Sequence, residues 1–173
     1  AEPDPSRQLA RAATRAGLPE PAVHAAVARW MEAAPLDLVR RHARPGLRDA
    51  LLRLRSRGMR LAVVSDYPAH AKLRALGLDG LFDVVCCAQD GDVRRLKPDP
   101  AGLLHVARTL AVSPAACLYV GDRADVDAPA AARAGMRCVL FGRDASRAPA
   151  RAGAPRVVGT MAELARLLAD HAA

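Results

Sequence analysis

The stretch Cys117-Leu118-Tyr119-Val120-Gly121-Asp122-Arg123-Ala124-Asp125-Val126-Asp127, followed by Ala134-Gly135-Met136, decides the fold. A short apolar run of strand length feeds directly into a glycine, and two acids, Asp122 and Asp127, come after it. Open α/β sheets bind their ligands just past the carboxyl ends of their strands. Both acids therefore stand where such a sheet presents groups to a ligand. Two companions lie upstream: Ser65, closing the apolar run Leu61 to Val64, and Lys97, within Leu96-Lys97-Pro98-Asp99-Pro100. A hydroxyl, an ammonium and a pair of carboxylates near strand ends suit a site for a phosphate and a divalent cation.

Working outward, the first third reads helical. Leu9, Ala12, Ala13 and Ala16 recur at helical spacing after Pro5, and Gly17 is the stop. A second helix is expected from Glu20 to Ala34, with Val23, Val27, Trp30 and Met31 on one face and Pro35 ending it. A linker at Arg44-Pro45-Gly46 leads to a third helix, Leu47 to Ser56. Short apolar runs then alternate with helices. Strands are expected at Leu61–Val64, Phe82–Cys87, Leu118–Val120, Arg137–Phe141 and Arg156–Val158. Helices are expected at Pro68–Leu76, from Asp99-Pro100 to Leu110, and at Asp127–Ala134, with a last one capped by Thr160 and Glu163. Gly142 to Pro155 reads as a polar loop. Such alternation argues a doubly wound parallel α/β sheet preceded by a helical lobe. The boundary falls near residue 44: a lobe over 1–44 and a core over 45–173. The strand segments are expected to form one sheet, with Ser65, Lys97 and Asp122 at its carboxyl edge.

The chain has 173 residues, enough for one domain with a sizeable core. Aromatic residues make up only 3%, so that core must be built from Ala, Leu and Val. No run approaches the ~20 apolar residues of a membrane span. Cys86, Cys87, Cys117 and Cys138 lack metal-ligand spacing and read as reduced thiols of a cytoplasmic protein. The net charge of +8 rests almost wholly on arginine, since Lys72 and Lys97 are the only lysines. Scattered arginines with few aromatics disfavour nucleic-acid binding and suit the attraction of an anionic phosphate substrate.

Each candidate has a chemical reason and a plainer alternative. Mg²⁺ takes hard oxygen ligands, usually one or two carboxylates plus substrate phosphate oxygens. Asp122, directly after the strand, is the better placed to touch a metal. Asp127 opens the next helix, and either holds the loop or accepts from a metal-bound water. Where arginine is the default, a Lys97 before proline suggests a place that wants a compact point charge rather than a planar fork. Ser65 can donate to a phosphoryl oxygen, or cap the helix that follows.

In this order the motifs resemble the second, third and fourth motifs of the haloacid dehalogenase (HAD) superfamily, over about Arg44 to the C-terminus. Pro5 to Ala34 resembles the helical cap of many members. The resemblance implies a Rossmannoid fold and a Mg²⁺-dependent phosphohydrolase acting on a small phosphorylated metabolite. Ser65 and Lys97 would hold the transferred phosphoryl group, while Asp122 would ligate Mg²⁺ with Asp127 in support. The family's first motif is a central strand ending in Asp-x-Asp, the source of its nucleophile, and no apolar run here ends that way. Asp4-x-Ser6 has no strand before it. The expectation is a chain that is N-terminally incomplete, or else a pseudoenzyme that binds phosphate, or a half completed by a second chain. As written it is expected to be inactive, with two strand edges left to face a gap or to close on each other.

Overall fold

A computed structural model describes residues 5–142 and 155–169. Three helices come first: α1 (Pro5–Ala16), α2 (Glu20–Val27) and α3 (Leu36–Arg41). The expected continuous helix to Ala34 gives way at Ala28 to a π-helical segment, Ala28–Ala33, in which Ala34 N donates to Arg29 O five residues back. The wider turn ends at Pro35, where α3, which was not expected, begins. Trp30 and Met31, assigned to one face of the expected helix, are exposed at 64% and 54%.

Helix α4 (Leu47–Ser56) joins this lobe to the α/β part. Its Leu47 and Leu51 pack on the cluster Ala69, Leu73, Leu78 and Leu81. Arg48 Nη1 donates to Gly77 O at 2.7 Å, and Arg55 Nη1 donates to Leu81 O at 2.7 Å. Beyond it run β1 (Ala62–Ser65), α5 (His70–Ala75), β2 (Val84–Cys87), α6 (Ala101–Thr109), a 3₁₀ turn (Pro114–Ala116) and β3 (Leu118–Gly121). The chain continues through α7 (Asp127–Ala134), β4 (Arg137–Phe141), β5 (Arg156–Val158) and α8 (Met161–Ala169). Most of the expected loop from Gly142 to Pro155 lies outside the described residues. Thr160 Oγ1 accepts from Glu163 N at 3.1 Å, as a cap should. The Glu163 carboxylate reaches back to Gly159 N instead of to Thr160.

All strand pairs are parallel, but they form two sheets rather than the expected one. Strand β1 pairs with β2, from Ala62 opposite Val84 to Ser65 opposite Cys87. Strands β3, β4 and β5 form the second sheet in that order. No described strand lies between β1 and β3, so each keeps an edge without a ladder partner. Val120 on β3 is 39% exposed, whereas Val139, its register partner on β4, is buried at 3% in the cluster with Leu164 and Leu167 of α8.

Side chains, not a ladder, join the two sheets. Leu103 of α6 is 1% exposed and clusters with Ala130, Ala131 and Ala134 of α7. Val64 from β1 and Tyr119 from β3 pack on that same cluster. Helix α6 sits so close to β1 that a Cβ on Gly102 would lie 2.9 Å from Val64 Cγ1. No helix of the described residues is long and apolar enough to cross a membrane.

Leu103→Ala tests this joint. Deleting a fully buried leucine costs about 2–5 kcal/mol, depending on how far the site collapses. Urea unfolding should show a loss in that range. A loss below about 1 kcal/mol would mean that Leu103 does not brace both sheets.

Candidate functional site

Asp127 is the only charged side chain buried among the described residues, at 1% exposure. A carboxylate removed from water survives as an anion only with partners that replace its hydration. Its Oδ1 accepts from Lys97 Nζ at 2.7 Å and from the Tyr119 hydroxyl at 3.1 Å. Its Oδ2 accepts from the backbone N–H groups of Asp122 and Arg123, each at 2.9 Å. A carboxylate offers about four lone-pair sites, and these four bonds occupy them. The approach requires the glycine before Asp122, since a Cβ on Gly121 would stand 2.5 Å from Asp127 Cβ.

The charges follow from the contacts. Burial alone would raise the Asp127 pKa, but the Lys97 ammonium and the two backbone N–H groups outweigh it and hold the carboxyl below its usual range. Burial likewise works against the Lys97 cation, yet Asp127 and Tyr119 keep its pKa above the ordinary lysine value. Burial pushes the Tyr119 phenol up to about 12, so it remains a hydroxyl. Cys86 is raised to about 11 by burial and is an inert part of the core.

Residues 97–99 are fixed by three further bonds. The Lys97 backbone N–H donates to Asp66 Oδ1 at 3.0 Å, tying its loop to the end of β1. Arg133 of α7 donates through Nη1 to Pro98 O at 2.8 Å. Asp99 Oδ1 accepts from Ala101 N at the start of α6, as its sequence position suggests. The Lys97–Pro98 peptide is cis.

Ser65 ends β1, and its Oγ accepts from Tyr67 N at 3.3 Å. That bond closes a local turn instead of capping α5, which begins five residues later at His70. The hydroxyl proton stays available to an acceptor. Asp122 is exposed, and its carboxylate has no hydrogen-bond partner among the described residues. A chain of hydrogen bonds runs Asp66–Lys97–Asp127–Asp122 and brings the ends of β1 and β3 together. Of the two roles expected for Asp127, holding the loop is the one its contacts show. Direct metal ligation by Asp127 would require one of those four bonds to break, whereas the Asp122 carboxylate is open. No cluster of three or more His, Cys, Asp or Glu among the described residues could hold a metal ion. The donors present fit Mg²⁺ in the mode where one carboxylate shares the ion with water and phosphate oxygens.

Tyr119, Asp66 and Arg133 do not stand out in the sequence as members of this group. Tyr119 carried the best available signal: a hydroxyl in an apolar strand, two residues before the glycine and so on the same face.

A family model described as haloacid dehalogenase-like hydrolase matches residues 6–135. A plasmid-encoded phosphoglycolate phosphatase of Cupriavidus necator is 36% identical over 127 residues, covering 72% of this chain and 54% of its own. A putative phosphatase of Bacillus subtilis is 40% identical over 101 residues, covering 57% and 44%. The chain spans about half the length of the curated relatives it matches. Among solved structures, a putative phosphoglycolate phosphatase from Lactobacillus delbrueckii aligns with a TM-score of 0.61 at 28% identity, over 72% of this chain and 52% of that one. A HAD phosphatase from Thermococcus onnurineus aligns with a TM-score of 0.67 over 92% of this chain and 86% of its own; at 24% identity it shows the fold alone.

Asp127→Asn should be costly, because either amide orientation sets an NH₂ against groups that already donate. Breaking a buried pair costs about 3–5 kcal/mol. The folded Asp127 pKa lies below 3.8, so its contribution is present above that value and is lost as pH falls through the folded pKa. The Lys97 contribution is full below 10.5 and is lost as pH rises through its higher folded value. Urea unfolding should therefore show the wild type well ahead of the variant at neutral pH, with the gap closing well below the carboxylate range. A gap that ignores acid would rule out the ion pair as its source.

Proposed function

The chain belongs to the haloacid dehalogenase-like hydrolases, and from that membership we propose that it carries the phosphate- and cation-binding part of a phosphatase site. The substrate class is a small phosphorylated metabolite, with phosphoglycolate-like compounds first because relatives bear that name. One observation carries the reading. A buried Asp127 anchors the Lys97 ammonium and the backbone of the exposed Asp122, while Asp66, next after Ser65, holds the Lys97 backbone at the end of β1.

Ser65 donates to one phosphoryl oxygen. Lys97 donates to another and offsets charge as the phosphorus–oxygen ester bond breaks. Its position is held by Asp127 and Tyr119, so little reorganisation is needed during transfer. Asp122 would hold Mg²⁺, which when bound supplies further charge neutralisation at the phosphoryl oxygens. Transfer also needs a carboxylate that attacks phosphorus to form an acyl phosphate, which water then hydrolyses. We assign it to none of the acids nearest Lys97, since Asp66 Oδ1 is engaged by Lys97 N and Asp99 Oδ1 by Ala101 N.

The open edges of β1 and β3 support a place for the nucleophile between them. Unpaired parallel edges seek a strand, and a strand set between them would end beside Lys97. We assign the attacking carboxylate to such a strand, supplied from outside residues 1–173. Within this proposal residues 1–44 act as a cap-like lobe, 45–173 as the core, and the protein works in the cytoplasm on its metabolite. A non-catalytic phosphate-binding domain is the second reading, favoured by the absence of any apolar run ending in Asp-x-Asp.

Calorimetry should show inorganic phosphate binding that strengthens with Mg²⁺, and Asp122→Asn should abolish the strengthening while leaving the metal-free binding. Identical titrations with and without Mg²⁺ would remove Asp122 from the cation site. The pure chain should not hydrolyse p-nitrophenyl phosphate, since the missing acid–base group alone is worth typically ~10²–10⁴-fold. Adding a peptide with an apolar strand ending in Asp-x-Asp should restore turnover. Mg²⁺-dependent hydrolysis by the chain alone would show that the nucleophile lies within it.

A further inference from the structure

We propose that Tyr119 is a positioning residue whose hydroxyl fixes the direction in which Lys97 offers its remaining proton to the bound anion. The proposal rests on the phosphate-binding reading and names a residue that acts through Lys97 rather than on the substrate.

Three heavy atoms form a closed triangle. Lys97 Nζ lies 2.7 Å from Asp127 Oδ1 and 3.1 Å from the Tyr119 oxygen, and that oxygen lies 3.1 Å from the same Oδ1. The donor roles are forced. An ionised carboxylate only accepts and an ammonium only donates. The Tyr119 hydroxyl must therefore give its proton to Asp127 and take one from Lys97. Two of the three ammonium protons are thereby fixed on the Asp127 side, and the third points away from the triangle.

With Asp127 alone, the ammonium would have a single tether at the end of a flexible four-carbon stem. One contact leaves it free to rotate about the Nζ–Oδ1 line. A second acceptor from another direction removes that freedom. Tyr119 suits the task because its ring is itself fixed: it stands on β3 and packs on the Leu103, Ala130, Ala131 and Ala134 cluster. Packing alone would be served by phenylalanine. Only the hydroxyl completes the triangle.

The chain has two lysines, Lys72 and Lys97, so a lysine-¹⁵N-labelled sample gives two ammonium signals, with Lys72 as the internal reference. In the wild type Lys97 should be the more ordered of the two and slower to exchange its protons with water. In Tyr119→Phe the Lys97 ammonium should become mobile and exchange about tenfold faster, while Lys72 and the backbone spectrum hold still. The affinity for inorganic phosphate should fall about fivefold to tenfold, the scale of one hydrogen bond. A Lys97 ammonium unchanged by Tyr119→Phe overturns the proposal, whatever the affinity does. Equal mobility of Lys97 and Lys72 in the wild type overturns it too, and needs no variant to fold. A wild type that binds no phosphate but keeps an ordered, Tyr119-dependent ammonium sinks the functional reading and upholds the positioning.

Discussion

Asp127 is a carboxylate with no water to solvate it, so its negative charge must be met by the protein, and the way it is met organises the whole carboxyl edge. One oxygen gathers the backbone after β3 and the other gathers Lys97 and Tyr119. A buried ion pair contributes little to stability beyond an apolar isostere, because both charges lose their hydration. What it provides here is geometry. Lys97 comes from a loop, Asp127 from α7 and Tyr119 from β3, and these elements meet at one carboxylate. The same charge that would be a liability in the core therefore becomes the fixed point from which Asp122 and Lys97 are presented.

This fixed point matters more because the sheet does not do the job alone. In a continuous parallel sheet, ladder hydrogen bonds align neighbouring strand ends. Between β1 and β3 there is no ladder. Alignment is left to Leu103 packing on one face and to the Asp66–Lys97–Asp127 bonds at the edge. The family membership and the relatives' greater length fit a site whose parts come from several strand ends.

Much of the α/β part was legible because its signals are local. Strand-length apolar runs followed by glycine or a cap give α7, β4 and β5 the bounds expected for them. Ser65 and Asp122 could be singled out because strand ends are where such a fold exposes polar groups, and Lys97 because it stands before a proline in a chain that otherwise uses arginine. The π-helical turn at Ala28–Ala33 was not legible, since the spacing of Val23, Val27, Trp30 and Met31 fits an ordinary helix equally well. Helix α3 is only six residues long and lies between a proline and a polar linker, too short to show a period. The separation into two sheets departs from the single sheet that the alternation suggested, but it matches the gap expected between two strand edges where no apolar run ends in Asp-x-Asp. Tyr119 was passed over because its partners, Lys97 and Asp127, are 22 and 8 residues away in sequence.

The most direct measurement is a crystal structure of the chain soaked with tungstate, a heavy tetrahedral stand-in for phosphate. The expected result is a single strong anion peak at the carboxyl edge, with one oxygen on Ser65 Oγ and another on Lys97 Nζ, and with the Lys97–Asp127 pair intact. Tungstate lodged instead along the arginines of α1, with the edge empty, would contradict a phosphate site built on Asp127.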